Sequence, residues 1–125
     1  MSSRHRVFVY GTLKRGERNS HYLRRAEFLG RFITRSQYSM YLFDDYPAVC
    51  VDGRHAIHGE VYHVDDDQFR DLDELEWYPD FYQRIEIPTR FGDAWMYIVR
   101  AELCRRRKRL QGRWATRGRG RSGRY

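Results

Sequence analysis

Between Val7 and Val99 the chain is a succession of short β-prone runs cut by glycine, proline and aspartate. Only one stretch, residues 65–78, carries the 3.6-residue period of a confident helix. Arg6-Val7-Phe8-Val9-Tyr10 reads as a buried strand that Gly11 stops, and Thr12–Gly16 as a loop bounded by glycines. Phe28–Ile33 reads as a strand interrupted by a bulge at Gly30. Tyr38–Phe43, Ala48–Val51, Ile57–Val64, Phe81–Ile87 and Ala94–Val99 complete the set. Asp44-Asp45-Tyr46-Pro47 and Arg90-Phe91-Gly92-Asp93 read as turns. Asn19 or Ser20 is placed to cap a short helix through about Ala26, with Tyr22, Leu23 and Ala26 inward. Asp65, with Gln68 three residues on, has the form of a capping box for the longer helix, and Pro79 ends it. The expected fold class is α+β: a small closed or strongly curved mixed β-barrel of about six or seven strands with two flanking helices.

A chain of 125 residues is one domain. No apolar run approaches the roughly 20 residues of a membrane span, and mean hydropathy is −0.87. The apolar run after Met1–Arg6 is too short for a signal peptide, so a cytoplasmic location is expected. Cys50 and Cys104 have no spacing that suggests a disulfide framework.

Charge is distributed unevenly. The chain holds 24 basic and 17 acidic residues, net +7, and 10 of the basic ones lie from Cys104 onward, where no acidic residue occurs. Residues 1–103 therefore carry 14 basic and 17 acidic residues. The expected organisation is a mildly acidic domain over 1–103 and a flexible, basic Arg/Gly-rich tail over 104–125, in which only the neighbourhood of Leu110 and Trp114 has the apolar surface to order itself. Such a tail is expected to solubilise, to dock on the acidic body, or to bind RNA or another polyanion, with Trp114 stacking on a base.

Glu76 is the residue whose position most suggests chemistry. The apolar stripe of the 65–78 helix runs through Phe69, Leu72 and Leu75. At about 100° per residue, Glu76 lies about 40° from Leu72, inside that arc, whereas Asp71, Asp73 and Glu74 point away. Burial and the negative end of the helix dipole both raise a carboxyl pKa, and a site that keeps such a group commonly uses it. The plain alternative is that Glu76 swings out to pair with Arg84 or Lys14. The strand-to-loop passage Val7–Leu13 offers backbone N–H groups that an anion or oxyanion would accept, or is an ordinary turn. It has neither the spacing nor the ending of a nucleotide-binding loop. No metal site is expected, since His55, His58 and His63 do not gather on one strand face and Cys50 has no nearby partner. No nucleophile motif is present.

Taken in order, Val7-Phe8-Val9-Tyr10-Gly11-Thr12-Leu13-Lys14-Arg15-Gly16, Ala26–Gly30, Tyr46-Pro47-Ala48-Val49, His58-Gly59-Glu60-Val61-Tyr62, Leu72-Asp73-Glu74-Leu75-Glu76, Tyr82-Gln83-Arg84 and Gly92–Tyr97 resemble the gamma-glutamyl cyclotransferase-like family, in particular its gamma-glutamylamine and small bacterial branches. The resemblance covers about residues 6–100 and implies a small β-barrel with a cavity at its mouth. It implies Glu76 as the catalytic acid/base, Tyr10, Gly11, Thr12 and Leu13 as the loop holding a gamma-glutamyl group, and Tyr82 near the pocket wall. It further implies a cofactor-independent cyclotransferase that releases 5-oxoproline from a gamma-glutamyl amine or peptide. The chain departs from the family at Trp77, where glycine often follows the catalytic Glu. A bulky ring there is expected to narrow or reshape the pocket, and favours the alternative of a non-catalytic barrel that binds a small acid.

Overall fold

The structure, a computed structural model, describes residues 4–115. Its elements are β1 (Arg4–Val9), β2 (Glu27–Ile33), β3 (Tyr38–Phe43), β4 (Tyr46–His55), β5 (His58–Asp65), α1 (Asp66–Leu75), β6 (Gln83–Ile87), β7 (Ala94–Ile98) and β8 (Arg109–Leu110). Short 3₁₀ turns occupy Ser20–Leu23 and Ala101–Cys104. No helix among the described residues is long and apolar enough to cross a membrane.

The strands form two sheets and not the closed barrel expected. One is ordered β2-β5-β1-β7-β6, with β1 and β7 parallel and the other neighbours antiparallel; the other is ordered β4-β3-β8. β2 and β6 are open edges of the larger sheet. The sheets are joined by isolated bonds, among them Val99 N–H to the Val49 carbonyl at 2.9 Å, with no continuous ladder between them. β1 lies at the centre. Val7 and Val9 enter one apolar cluster with Leu72 and Phe69 of α1, while Phe8 and Tyr10 enter a second cluster with Met40, Val49 and Met96. That two-sided burial explains why the strand reads as a continuous apolar run.

The Tyr10 hydroxyl ties the sheets together. It donates to the Tyr97 carbonyl of β7 at 2.9 Å and accepts from the Val49 N–H of β4 at 3.2 Å. Pro47 is tolerated in β4 because that strand is a sheet edge, and its carbonyl accepts from the Tyr82 hydroxyl at 2.8 Å.

Two expected elements change form. The helix expected from Asn19 or Ser20 to Ala26 is a four-residue 3₁₀ turn, leaving one α-helix among the described residues. Asn19 does not cap it; its Nδ2 donates to Thr12 Oγ1 at 3.0 Å, holding the preceding loop. The longer helix starts as expected, with the Asp65–Gln68 capping box formed. It ends at Leu75, before Pro79. Trp77 N–H reaches the Glu74 carbonyl at 3.1 Å and Tyr78 N–H reaches the Asp73 carbonyl at 2.9 Å, the paired bonds of a Schellman motif. Trp77 holds the left-handed position of that motif (φ 52°), which normally falls to glycine. The bulge at Gly30 is present as a register shift between Phe28 and Gly30.

The packed chain also runs past residue 103. Cys104 is buried in the core, β8 pairs with β3, and the Lys108 and Gly112 carbonyls accept from Leu42 N–H (2.8 Å) and His58 N–H (2.9 Å). Leu110 and Trp114 pack on the Met40–Ile57 cluster, so Trp114 is a packing residue here. The charge boundary at Cys104 does not mark a packing boundary, because backbone pairing and a few apolar contacts outweigh the basic side chains around them. Arg119-Gly120-Arg121 lie outside the described residues.

Two stability effects are expected. Tyr10→Phe leaves the Val49 N–H and Tyr97 carbonyl without their partner and lowers unfolding free energy by about 1–3 kcal/mol, measured by urea denaturation. Trp77→Gly relieves the left-handed backbone and raises it by roughly 0.5–1 kcal/mol; a melting temperature that falls contradicts the strain account.

Candidate active site

A cavity of about 430 Å³ opens where the C-terminal end of β1 faces the C-terminal end of α1. Its volume lies in the range of small-molecule pockets. All six residues singled out in the sequence line it: Tyr10, Gly11, Thr12, Leu13, Glu76 and Tyr82.

Glu76 is the C-cap of α1, placed by the capping box at one end and the Schellman motif at the other. Among the described residues no side chain or backbone group pairs with its carboxylate, and burial alone raises its pKa to about 7. The expected alternative partners are held elsewhere. Arg84 makes a two-pronged bond to Asp73 (3.0 and 3.1 Å) and sits against the rings of Phe69, Tyr78 and Trp95. Lys14 donates to the Trp114 carbonyl.

Opposite Glu76, the turn that follows β1 is shaped by a close approach. A Cβ on Gly11 would stand 2.7 Å from Pro47 Cγ, so glycine is required for contact between this turn and β4. Within the turn, Lys14 N–H donates to the Gly11 carbonyl at 3.1 Å and Asn19 N–H to the Thr12 carbonyl at 2.9 Å. The Gly11, Thr12 and Leu13 N–H groups have no acceptor among the described residues. Tyr10 contributes its ring and backbone to the wall, but its hydroxyl is committed to the sheets, and so is that of Tyr82. Burial, with the Glu76 charge adding to it, pushes both phenols well above their usual range, so they stay protonated at neutral pH.

Sequence reading missed three contributors. Tyr97 lines the cavity, and its hydroxyl donates to Asp73 Oδ1 at 2.7 Å. Asp73, assigned to the outward face of the helix, instead turns toward Tyr97 and Arg84 and is partly buried. The available signal was across the sheet: Arg84 and Tyr97 are register partners on β6 and β7, facing the helix side by side. Arg18 also lines the cavity and pairs with Asp45 through two bonds, at 2.8 and 3.1 Å. Trp77, expected to narrow or reshape the pocket, lines the cavity. It is 73% exposed and borders the cavity from the solvent side.

The carboxyl near 7 has a consequence for stability. In the unfolded chain a Glu titrates near ~4.3, so between about pH 4.3 and 7 the folded chain binds more protons, and stability falls as pH rises. Glu76→Gln removes that loss. At pH 8 the variant is expected to be more stable than the native chain by on the order of 3–4 kcal/mol, with the gap closing below about pH 4. Urea denaturation at both pH values checks this; a gap that ignores pH contradicts it.

The chain is similar to known proteins over most of its length. The family model for gamma-glutamyl cyclotransferase, AIG2-like, matches residues 7–116, which includes the β8 segment. A Vibrio cholerae protein provisionally named as a gamma-glutamylcyclotransferase is 48% identical over 94 residues, covering 75% of this chain and 81% of its own. The gamma-glutamylcyclotransferase family protein YtfP of Escherichia coli K12 is 40% identical over 93 residues, 74% of this chain and 80% of that protein. The crystal structure of a mouse AIG2-like protein superposes with a TM-score of 0.76 at 25% identity, covering 91% of this chain and 97% of the mouse chain.

Proposed function

The chain belongs to the gamma-glutamyl cyclotransferase, AIG2-like family, and from that premise we propose that it releases 5-oxoproline from a gamma-glutamyl amine or peptide, with Glu76 as general acid/base. The observation that carries the proposal is a single unpaired carboxyl, raised to about 7, facing a turn of unpartnered N–H groups across one cavity.

A gamma-glutamyl amide already contains its nucleophile, because the α-amine reaches the γ-carbonyl through a five-membered ring. The protein's task is to freeze that conformer, deprotonate the α-ammonium and support the oxyanion. The substrate's carboxylate or the forming oxyanion would accept from the Gly11–Leu13 N–H groups. Glu76 takes a proton from the α-ammonium; the amine forms a bond to the γ-carbonyl carbon, and the carbonyl electrons move to oxygen. When the tetrahedral centre collapses, the bond to the leaving nitrogen breaks. Overall two protons pass from the α-nitrogen to the leaving nitrogen. Glu76 carries them in turn and ends ionised, as it began. A pKa of about 7 suits both directions of transfer near neutrality.

Glu76→Gln is expected to lower 5-oxoproline release by on the order of 10²–10⁴-fold in a chromatographic assay with a panel of gamma-glutamyl amides, while the protein stays folded. In the native chain kcat/KM should rise with pH to a shoulder near 7, because the ionised form of Glu76 is the base. An unchanged rate in the variant removes Glu76 from the chemistry.

A further inference from the structure

The wall beside Glu76 is apolar and aromatic. Leu75 and Trp77 flank Glu76 in sequence and both line the cavity. Phe81 N–H donates to the Trp77 carbonyl at 2.9 Å, and the Phe81 ring meets Tyr46 edge-on at 6.5 Å; both rings also line it. All four side chains line the cavity that Glu76 lines, and Trp77 among them is 73% exposed. An exposed indole at the edge of a cavity leaves a ring face open to an apolar or aromatic group.

Charge is scarce in the same lining. Its charged side chains are Glu76 and Arg18. Arg18 already directs two N–H groups at the Asp45 carboxylate, so a second carboxylate has to share the guanidinium with Asp45.

The reaction fixes which part of a substrate meets this wall. This step rests on the activity proposed above. The leaving nitrogen must come within reach of the Glu76 carboxyl that protonates it, so the substituent on that nitrogen extends along Leu75, Trp77, Phe81 and Tyr46. We infer that the leaving group is an uncharged aromatic or bulky apolar amine, and that Trp77 is the residue that selects it. Aromatic faces gain from stacking beyond plain burial, and a tethered carboxylate would lose hydration where the one cation among the described lining residues is already paired with Asp45.

Three substrates separate the possibilities: gamma-glutamylbenzylamide, gamma-glutamylmethylamide and gamma-glutamylglycine, each assayed for 5-oxoproline release with the native chain and with Trp77→Gly. In the native chain, kcat/KM for the benzylamide should exceed that for each of the other two by about tenfold or more. Trp77→Gly, which relieves backbone strain and is therefore expected to fold, should bring the benzylamide-to-methylamide ratio within about threefold. A native chain that turns over the methylamide or the glycine conjugate as well as the benzylamide overturns the inference and leaves the activity standing. A preference for benzylamide that survives in the variant overturns the role of Trp77. Release from none of the three, when glutamyl amides of other kinds also fail, overturns the activity and this inference together.

Discussion

The Tyr10 hydroxyl is the point on which the architecture turns. Tyr10 is the residue that follows β1, and its hydroxyl bonds β7 and β4 at once where the chain leaves the sheet. The two sheets share few backbone bonds, so this buried hydroxyl, with Tyr82 to Pro47 and Val99 to Val49, sets their separation. The turn that follows Tyr10 is thereby held against Pro47, closely enough that only a residue without a Cβ fits at Gly11. Tyr10, the Gly11–Leu13 turn, Pro47 and Tyr82 all line the cavity, so the bonds that join the sheets also fix its walls.

That frame also explains how an arginine-rich chain keeps a carboxylate unpaired. An opposite charge close to Glu76 would pull its pKa down by one to three units, back into the ordinary range and away from neutrality. Three cations among the described residues are held by other partners. Arg84 is gripped by Asp73 and three aromatic rings, Lys14 by the Trp114 carbonyl, and Arg18 by Asp45. Asp73 and Trp114 therefore bear on the site from a distance. Lys14 links the C-terminal segment to the turn facing Glu76, so residues that look like a tail by charge serve as part of the frame.

Much of this was visible in residue order. The strands, the capping box, the Gly30 bulge and the inward aim of Glu76 follow from local periodicity and turn chemistry, which act over a few residues. Two sheets in place of a barrel, by contrast, depend on which edges find partners, and nothing local determines that β2 and β6 stay open. Asp73 was misassigned because helical angle alone was used, and its direction is set by Arg84 and Tyr97 arriving from the sheet. After Cys104 composition points to a tail and only Leu110 and Trp114 point to order; through those two and the backbone bonds beside them, residues 108–114 pack against β3 and β5.

Trp77 joins the helix end to the cavity. The Schellman motif needs its residue after Glu76 in the left-handed region, and glycine meets that need with no steric cost. Tryptophan meets it at a cost of about 1 kcal/mol in backbone strain, and then leaves most of its indole in water. Neither helix termination nor core packing accounts for a tryptophan here, since both are served as well or better by glycine. What remains is the surface it adds beside Glu76. An aromatic ligand resting on that surface would recover more than the strain it costs, because covering an indole face with a ring returns both buried area and stacking.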